Sequence, residues 1–591
     1  MSTLINPFSV KTPENLSPVD IASLFVDVFS DYPKVLQPEH TFLHGARGTG
    51  KSMMLRFMEP SVQIAAGKVD NISELSFYAV HMPIKSSNYS LPELERLEGA
   101  PYWLLAEHIL IINAMLKIIK SLVDLYEVHS PNEVDDNFKQ NVVDILDMSG
   151  VDSENPGDCT LQFLKSLQIS MNKERVSARQ YISSLAFTKQ MVPYNGILLR
   201  YDDFFLPLIR EIKHLSLTSS GPIFLMIDDA DNLPLRMQKL LNGWVSYRTT
   251  SDICLKVSTQ QKYKTWRTNQ GILIESAHDF GEIDISTVYT SKHQSHYYEQ
   301  VEKIVKRRLE IANCPNTSPT EFFPESQKQV EGINKAKQKI SEAWENGEHR
   351  VSSRKSDDLR RYAVSEYMKE LASKKKTNTF SYSGFKNMVD ISSGMIRFFL
   401  EPASRMYADA ITSNNNQPVE VIPTALQDTI LYDWSEEYVL EEFEKLKKDE
   451  LSTCQNNLDK VQKIKRLINS LGECFQLKLV SDDSERQLIS FMVSSPPEYH
   501  IQEVLDLAVE WGYLTKKSIA RKEGFGRNIL YSLNRRLAPY FKLDPSGYAA
   551  HMSITPAHLE LAINDSSAFI RERLKKTPQI ENNTLQQSLD F

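Results

Sequence analysis

The sequence lacks the cysteine patterns that build metal sites or disulfide frameworks. Its 591 residues include five cysteines, and no CxxC pair or Cys/His cluster brings two of them together. A structural zinc site is therefore not expected, and a reducing compartment is the default. The five cysteines are Cys159, Cys254, Cys314, Cys454 and Cys474.

Long apolar runs are also missing. The most apolar stretch, 103–123, carries four ionisable side chains, which are Glu107, His108, Lys117 and Lys120. A bilayer span needs about 20 residues with few charges, so this stretch predicts a buried core helix. The N-terminal residues have no charged segment followed by an apolar one, so no signal peptide is expected. We expect a cytoplasmic protein with no membrane partner.

An excess of positive charge is absent as well. Lys plus Arg number 68 against 76 Asp plus Glu, which gives a formal net charge of −8. Any contact with nucleic acid therefore has to come from a local basic patch. The composition, 41% hydrophobic and 24% charged, is that of a globular protein, and the length predicts about four domains.

A glycine-rich segment provides the most informative motif. Residues 45–52, GARGTGKS, fit GxxxxGK[ST] between a β-prone run and a helix-prone run. In such a loop, glycines let backbone N–H groups converge on phosphates, and the next helix adds its positive dipole end. Lys51 would neutralise the β- and γ-phosphates, and Ser52 would bind Mg²⁺. A glycine-rich turn that happens to precede Lys-Ser is the alternative. The expected nucleotide-binding residues are Gly45, Arg47, Gly48, Thr49, Gly50, Lys51, Ser52 and Met53.

Two carboxylates follow an apolar run later in the chain. Residues 223–227 are all apolar, and Asp228 and Asp229 come directly after them. This pattern is typical of a parallel strand buried on both faces, and open α/β sheets bind ligands at the carboxyl ends of such strands. Asp228 would hold Mg²⁺ through water, and Asp229 would orient or deprotonate the attacking water. The alternative is a buried strand that ends in a solvated turn. The two motifs in this order favour a nucleotide site.

Together the two motifs resemble those of the AAA+ and related STAND ATPases, most of all the origin-recognition branch, over about residues 6–410. The resemblance implies an α/β P-loop NTPase fold with an AAA+-like parallel sheet and a helical lid. It also implies ATP and Mg²⁺ as cofactors, ATP hydrolysis, and a homo-oligomer with nucleotide between subunits. Asp229 stands where these hydrolases usually carry Glu, and its shorter carboxylate implies slow turnover.

Three further positions match places at which this family senses or neutralises the γ-phosphate. Ser258 and Thr259 end the alternating run 253–257, where the family keeps its first sensor, and Thr259 is the expected residue. Arg397 ends a Gly-x-x-Arg sequence like the one that opens the lid helix of the second sensor. Arg267 lies where AAA+ rings place an arginine finger. The alternatives are a surface arginine for Arg397 and a solvated loop cation for Arg267.

The rest of the chain is predicted to be mostly helical. Further strands are expected at 75–80 and 271–275, and an N-terminal helix at 19–29. Helical periodicity in several segments of 90–215 indicates a helical insertion into the core. The predicted domains are an ATPase core, 1–290, with this insertion; a helical lid, 291–412; a helical linker, 413–479; a winged-helix-like domain, 480–560; and a flexible tail, 561–591.

The segment 480–560 resembles a winged helix-turn-helix, which origin-type ATPases carry at their C-terminal end. Helices are expected at 485–493 and 501–511, before two β-prone arms that flank 523–526 and form the wing.

Positive charge is concentrated in this predicted wing. Seven cations against one acid lie between Lys516 and Arg536, and Tyr513, Phe525 and Tyr531 interleave with them. Such a patch attracts phosphate backbones. Winged domains also dock proteins, and exposed wings are commonly charged, which is the alternative. The expected nucleic-acid contacts are Lys516, Lys517, Arg521, Lys522 and Arg527.

The leading interpretation is an ATP-driven switch, in which Arg397 closes the lid on ATP and hydrolysis releases it. The switch would be coupled to DNA or to an effector protein on another chain, and the resemblance implies a mobile-element or antiphage-defence locus. The alternatives are an origin-type DNA-binding or DNA-loading ATPase and a non-hydrolysing, nucleotide-bound scaffold for an effector. The C-terminal residues 586–591, QQSLDF, are either a simple tail or a peptide that docks on a sliding clamp.

Overall fold

The computed structural model of the chain contains two β-sheets surrounded by helices. The residues that the structure describes are 5–27, 31–152, 157–188, 192–247, 251–260, 263–285, 294–347, 354–373, 380–451, 455–481, 488–520, 527–546 and 550–574.

The larger sheet has five parallel strands and confirms the predicted α/β class. The strand order is β2-β3-β4-β1-β5, which brings the carboxyl ends of β1, β3 and β4 to one edge. Since β3 and β4 are buried along their whole length, both of their faces are covered by helices. The strands are β1 (Thr41–His44), β2 (Tyr78–Pro83), β3 (Ile223–Asp228), β4 (Ile253–Thr259) and β5 (Gly281–Asp284).

Two strand predictions need correction. The second strand begins at Tyr78 rather than at residue 75. The predicted strand at 271–275 is wrong, since Gly271 has φ +85° in a turn and its N–H donates to the Thr268 carbonyl. Ile272 and Leu273 are 57% and 49% exposed, and of the three aliphatic residues of this run Ile274 alone is buried in the core. The fifth strand is β5, further along the chain.

Helices cover both faces of the larger sheet, and many of them come from the segment between β2 and β3. The long helix α6 is buried along one side and packs against α8, as expected for the most apolar stretch. None of the helices in the described residues is both long and apolar enough to span a bilayer. The helices up to β5 are α1 (Pro18–Leu24), α2 (Tyr32–Val35), α3 (Lys51–Phe57), α4 (Pro60–Ala65), α5 (Ser86–Tyr89), α6 (Ala100–His129), α7 (Asp136–Met148), α8 (Thr160–Ser184), a π-helix (Tyr201–Phe205), α9 (Leu206–Ile212) and α10 (Leu235–Ser246).

The segment that follows β5 is helical, as predicted for the lid and the linker. Its helices α13 and α14 pack against each other, as do α17 and α18. The helices are α11 (Gln294–Ile311), α12 (Pro319–Phe322), α13 (Gln327–Glu345), α14 (Lys355–Ser373), α15 (Phe385–Ile391), α16 (Ile396–Ser413), α17 (Thr424–Leu451) and α18 (Gln455–Val480).

The C-terminal domain is built on the smaller sheet, whose order is β7-β8-β6-β9. Strands β7 and β8 form the predicted antiparallel hairpin, although the residues that join them lie outside the described part. The elements are β6 (Leu488–Val493), α19 (Tyr499–Glu510), β7 (Leu514–Ala520), β8 (Arg527–Leu533), α20 (Ala538–Phe541), β9 (Ala550–Ile554), α21 (Pro556–Asn564) and α22 (Ser566–Leu574).

Two predictions for this domain are wrong. The segment predicted as a helix at 485–493 contains the strand β6 from Leu488 onward, because its apolar residues pair with β8 and β9. Residues 561–574 of the predicted tail lie in α21 and α22, which pack against α18. The proposed clamp-binding residues 586–591 lie outside the described part of the chain.

Buried apolar residues show which parts of the chain are joined. The larger sheet has one apolar cluster on each face, represented by Phe42 and by Leu43. Helices α11, α12, α15 and α16 of the predicted lid share a single cluster with α17, α18 and the C-terminal domain, so the predicted linker is a part of this core. Helices α13 and α14 pack against each other in two small clusters of their own. Phe8 of the N-terminal segment also belongs to it and lies 5.5 Å from Phe323, between ring centroids.

Candidate functional site

The glycine-rich loop joins β1 to α3, in the order strand, loop, helix that the sequence predicts. Gly48 has φ +88° and Gly50 has φ +97°. Residues with a Cβ rarely adopt such angles, so both positions require glycine for this loop shape. The loop lies at the edge of the sheet where β1 ends, beside the carboxyl ends of β4 and β5.

Lys51 lies inside this loop and is almost fully buried. Its Nζ donates hydrogen bonds to the carbonyl oxygens of Gly45 at 2.7 Å and Ala46 at 3.1 Å. Burial lowers the pKa of Lys51, and the nearby carboxylates of Asp229 and Asp228 oppose that shift. The structure therefore places this cation next to both predicted acids.

Asp228 ends β3 and is held by partners from the neighbouring strands. The atoms His81 Nε2 of β2 and Asp228 Oδ2 are 3.0 Å apart, and the Ser258 hydroxyl of β4 donates to Asp228 Oδ1. Burial raises the pKa of Asp228, but the hydrogen bond and charge of His81 and the hydroxyls of Ser258 and Ser52 outweigh it and lower the pKa to about 2. Asp228 is therefore ionised at neutral pH, with the Ser52 hydroxyl within hydrogen-bonding reach.

Asp229 follows with a left-handed backbone, φ +55°. Its N–H donates to Asp228 Oδ1 and to the Ser258 hydroxyl, each at 3.1 Å, which holds this conformation. Burial and the charge of Asp228 raise the pKa of Asp229, and Lys51 opposes the shift. Asp229 therefore holds a proton more readily than an ordinary aspartate.

The two candidates for the first sensor face different neighbours. Ser258 contacts both acids, whereas the Thr259 hydroxyl lies 2.5 Å from His44 Nδ1. The other ring nitrogen of His44 lies 3.1 Å from Glu282. Ser258 is thus the β4 residue in contact with the acidic pair.

Sequence reasoning missed His81 and underrated Ser258. Residue 81 is paired with Met226, two residues before Asp228, in the β2–β3 register. Nothing in the local sequence of β2 marks this histidine, because its partner comes from a strand far along the chain.

A cavity of about 440 Å³ lies between the loop, the N-terminal segment and the lid. Residues of the core, of α11, of α16 and of the N-terminal segment line it. The lining includes Arg47, Gly48, Gly50, Lys51, Ser52, Met53 and Asp229 from the core, Arg308, Ile311, Ile396 and Arg397 from the lid, and Asn6, Pro7, Val10 and Leu16 from the N-terminal segment.

Arg397 brings the lid into direct contact with the loop. Its N–H donates to the Gly48 carbonyl oxygen at 3.2 Å. A Cβ added to Gly48 would lie 2.7 Å from the Arg397 Cβ, closer than two carbons can approach. Glycine at this position therefore allows both the turn of the loop and the close approach of the lid.

Arg308 of α11 fastens the N-terminal segment over the same cavity. Its Nη1 donates to the carbonyl oxygens of Pro7 at 2.9 Å and Ser9 at 3.3 Å. Burial lowers the pKa of Arg308 to about 10, so it remains charged at neutral pH. Sequence reasoning passed over this residue because it lies in a run of basic residues on an amphipathic helix.

Arg267 does not line the cavity of its own chain. Its Nη1 donates to the Gly271 carbonyl oxygen at 2.9 Å, and its side chain is exposed. Its predicted role as a finger for a neighbouring subunit stays a prediction.

The structure describes the side chains of four of the seven cations of the predicted basic patch, two of them on β7. Lys516 and Lys517 are exposed on β7, and Lys516 lies 3.2 Å from Asp506. Arg521, Lys522 and the side chain of Arg527 lie outside the described residues.

Other members of the predicted patch are buried, which corrects the expectation. Arg535 and Arg536 are 7% and 8% exposed, and Tyr513 and Tyr531 are 1% and 2% exposed. They pack in the cluster shared with the lid and are not available to a ligand at the surface.

A model of the ORC-CDC6-like family matches residues 6–554. The chain therefore belongs to the ORC-CDC6-like family, and its resemblance to the origin-recognition branch of the AAA+ ATPases is confirmed. The match continues well beyond the residues 6–410 on which the resemblance was based, into the C-terminal domain. Membership implies an ATPase-type protein that uses nucleotide, typically with Mg²⁺. A search of the curated proteins found no match.

Proposed function

We propose that this member of the ORC-CDC6-like family is a slow ATPase that acts as a nucleotide-driven switch. The observation that carries the proposal is the cavity whose walls come from the glycine-rich loop on one side and from Arg397 and the N-terminal segment on the other. A ligand that contacts both walls binds more tightly to a closed state, in which the lid lies against the loop, than to an open state. It therefore shifts the population toward the closed state. Loss of the γ-phosphate would weaken that preference.

The core residues fit a magnesium triphosphate. Lys51 would neutralise phosphate charge, and Ser52 and Asp228 offer the oxygen ligands that Mg²⁺ prefers. The low pKa of Asp228 keeps this ligand ionised. The metal ion, when bound, supplies neutralisation of the charge on the transferring phosphoryl group.

Asp229 is the residue that we assign to the attacking water. It lines the cavity, and its raised pKa suits a group that accepts a proton. Since its carboxylate is one methylene shorter than that of glutamate, it reaches less far toward the water, and turnover should be slow.

The test is ATP binding and turnover by three variants of the purified chain. Lys51→Ala should lose saturable binding of a fluorescent ATP analogue. Asp229→Asn should keep binding and lose turnover by about 100-fold, the usual contribution of a general base. Asp144→Asn is the matched control, because it makes the same change in charge on the exposed side of α7, away from the cavity lining, and should retain both.

Each outcome has a clear meaning. A wild type that binds no ATP would overturn the proposal. Unchanged function of Asp229→Asn in cells would favour the non-hydrolysing scaffold instead. If the switch acts in antiphage defence, cells that express Lys51→Ala should lose protection in plaque counts.

We further propose that the switch is coupled to DNA through β7. Exposed Lys516 and Lys517 support this proposal, since each neutralised phosphate releases counterions.

The double variant Lys516→Glu/Lys517→Glu should bind a short duplex more weakly and with a smaller salt dependence. Lys120→Glu, an exposed lysine of α6, is the control. DNA binding that is equal in all three proteins would leave a protein effector as the partner of this domain. Binding restricted to one DNA sequence would favour an origin-type DNA-binding or DNA-loading ATPase.

Arg267 is proposed as a finger that reaches the nucleotide of a neighbouring subunit. Its exposure outside its own cavity supports this role. Arg267→Ala should slow turnover only at protein concentrations where an oligomer forms. Equal slowing at every concentration would contradict the assignment.

A further inference from the structure

A tight turn separates α15 from α16, just before Arg397. Ser393 in this turn has φ +54°, an angle that non-glycine residues seldom adopt. Its hydroxyl accepts a hydrogen bond from the Arg535 N–H at 3.1 Å and lies 3.4 Å from Asn534 Oδ1. The turn that precedes the lid arginine is therefore bonded to the C-terminal domain.

Asn534 lies at the base of the β7–β8 hairpin and is 1% exposed. Its Nδ2 donates to the Gly512 carbonyl oxygen at 2.7 Å, and its own N–H donates to the Tyr513 carbonyl oxygen at 2.9 Å. Asn534 directly follows β8, whereas Gly512 and Tyr513, the residues that it contacts, directly precede β7. One buried side chain thus connects both ends of the hairpin to the Ser393 turn.

The surrounding interface is apolar and continuous. The Tyr382 hydroxyl of the lid lies 3.0 Å from the Ala538 carbonyl oxygen and 2.9 Å from that of Leu543. Both sides of the interface belong to one apolar cluster. Well-packed interiors transmit displacement rather than absorb it, so a shift at the hairpin base is passed to the turn.

We propose that Ser393 and Asn534 are positioning residues that couple the β7–β8 hairpin to Arg397 and so to the nucleotide. The path runs from the hairpin base through Asn534 to the Ser393 hydroxyl, then along the backbone of the turn to Arg397, whose N–H donates to the Gly48 carbonyl. The inference rests on nucleotide binding and turnover in the proposed function and does not require DNA as the partner. By linkage, nucleotide must change the hairpin as much as a hairpin ligand changes nucleotide binding.

The experiment measures hydrogen exchange of the hairpin in the full chain, with and without a non-hydrolysable ATP analogue. In the wild type the analogue should slow exchange in 512–520 and 527–534. Ser393→Ala should weaken this effect about fivefold, although the analogue still binds with an affinity within about twofold. The loss of one buried hydrogen bond, about 1 kcal/mol, corresponds to a roughly fivefold weaker coupling.

Two further variants separate positioning from a loss of structure. Ser393→Gly removes the same hydroxyl but accommodates the positive φ, so it should fold at least as well and lose the same coupling. Ser413→Ala, at the exposed end of α16, is the control and should behave as the wild type. In turnover assays both Ser393 variants should lower kcat about fivefold and leave KM unchanged.

Exchange that responds equally to the analogue in the wild type and in Ser393→Ala would overturn the inference, as would a KM effect without a kcat effect. Failure of the proposed function has a different signature, because the wild type would then show no saturable binding of the analogue.

Discussion

The sheet core buries its apolar side chains in two clusters, one on each face, whereas the lid helices α11, α12, α15 and α16 share one cluster with the C-terminal domain. The core also holds the buried charges of the site, Lys51 and Asp228. The lid contributes a wall and an arginine. The natural boundary for movement therefore lies between the core and the lid, across the cavity. It does not lie between the lid and the domain that follows.

The largest effect is expected where the two units meet most closely. Gly48→Ala adds a Cβ that would lie 2.7 Å from the Arg397 Cβ, and it forces a left-handed angle on alanine. Together these should cost about 2 kcal/mol, a roughly 30-fold loss of ATP affinity. Isothermal titration with the ATP analogue measures this loss.

The control separates the two causes. Gly67 has φ +62° and nothing within 4 Å of an added Cβ, so Gly67→Ala carries the angle penalty without the clash. Gly67→Ala should lower the free energy of unfolding slightly and leave the affinity for ATP unchanged. Equal affinity in Gly48→Ala and the wild type would mean that the lid does not need to approach the loop when ATP binds.

Arg308→Met should have the second largest effect, because it releases the N-terminal segment from the lid side of the cavity. It removes hydrogen bonds to the carbonyls of Pro7 and Ser9, and hydrogen bonds from charged groups contribute about 1.5–3 kcal/mol each. Exposure of the freed carbonyls to water offsets part of this. We expect a roughly tenfold weaker affinity for the analogue. The matched control is Arg360→Met on the exposed side of α14, and equal affinities in the two variants would contradict the prediction.

The core side of the site could be predicted from the sequence because its signals are local. The glycines, Lys51 and Ser52 lie within eight consecutive residues, and the acids directly follow an apolar run. The partners of Asp228 could not be predicted, since His81 and Ser258 come from neighbouring strands whose order the sequence does not specify.

The C-terminal domain was harder to predict for a related reason. The apolar run 488–493, interrupted by Ser490 alone, fits a strand as well as a short buried helix, and only pairing with β8 and β9 decides between them. Arg535 and Arg536 contribute to a basic patch in a count of charges, but both are buried, Arg536 against Trp434 and Tyr438 of α17. Contacts between segments far apart in the chain therefore set how much of the charge is exposed.

Arg536 offers a way to weaken the shared cluster without touching the cavity. Its guanidinium lies 4.0 Å from the Trp434 ring centroid and 4.2 Å from that of Tyr438. Arg536→Met keeps the aliphatic length and removes both cation–π contacts, so we expect a loss of about 1 kcal/mol in the free energy of unfolding. Thermal unfolding followed by tryptophan fluorescence measures it.

Arg405→Met is the control for this change. Arg405 forms a half-exposed ion pair with Glu437, a type of contact that contributes little. ATP affinity should be unchanged in both variants. If Arg536→Met lowered the affinity for ATP but not the free energy of unfolding, the sheet core and the unit formed by the lid and the C-terminal domain would not be separate, contrary to what their apolar clusters indicate.

The effect that is smallest near neutral pH concerns the core alone and grows as the pH rises. Lys256, in the middle of β4, is buried, and its Nζ donates to the carbonyls of Gln37 at 2.6 Å and Glu39 at 2.8 Å. Burial lowers its pKa to about 8 from an ordinary 10.5. Between these values the unfolded chain binds more protons than the folded one, so stability must rise with pH.

The free energy of unfolding of the wild type relative to Lys256→Met should therefore increase from pH 8 to 10.5, by less than about 1.4 kcal/mol per pH unit. Denaturant unfolding at several pH values measures the slope. A flat or falling difference would mean that the carbonyls compensate the buried charge completely.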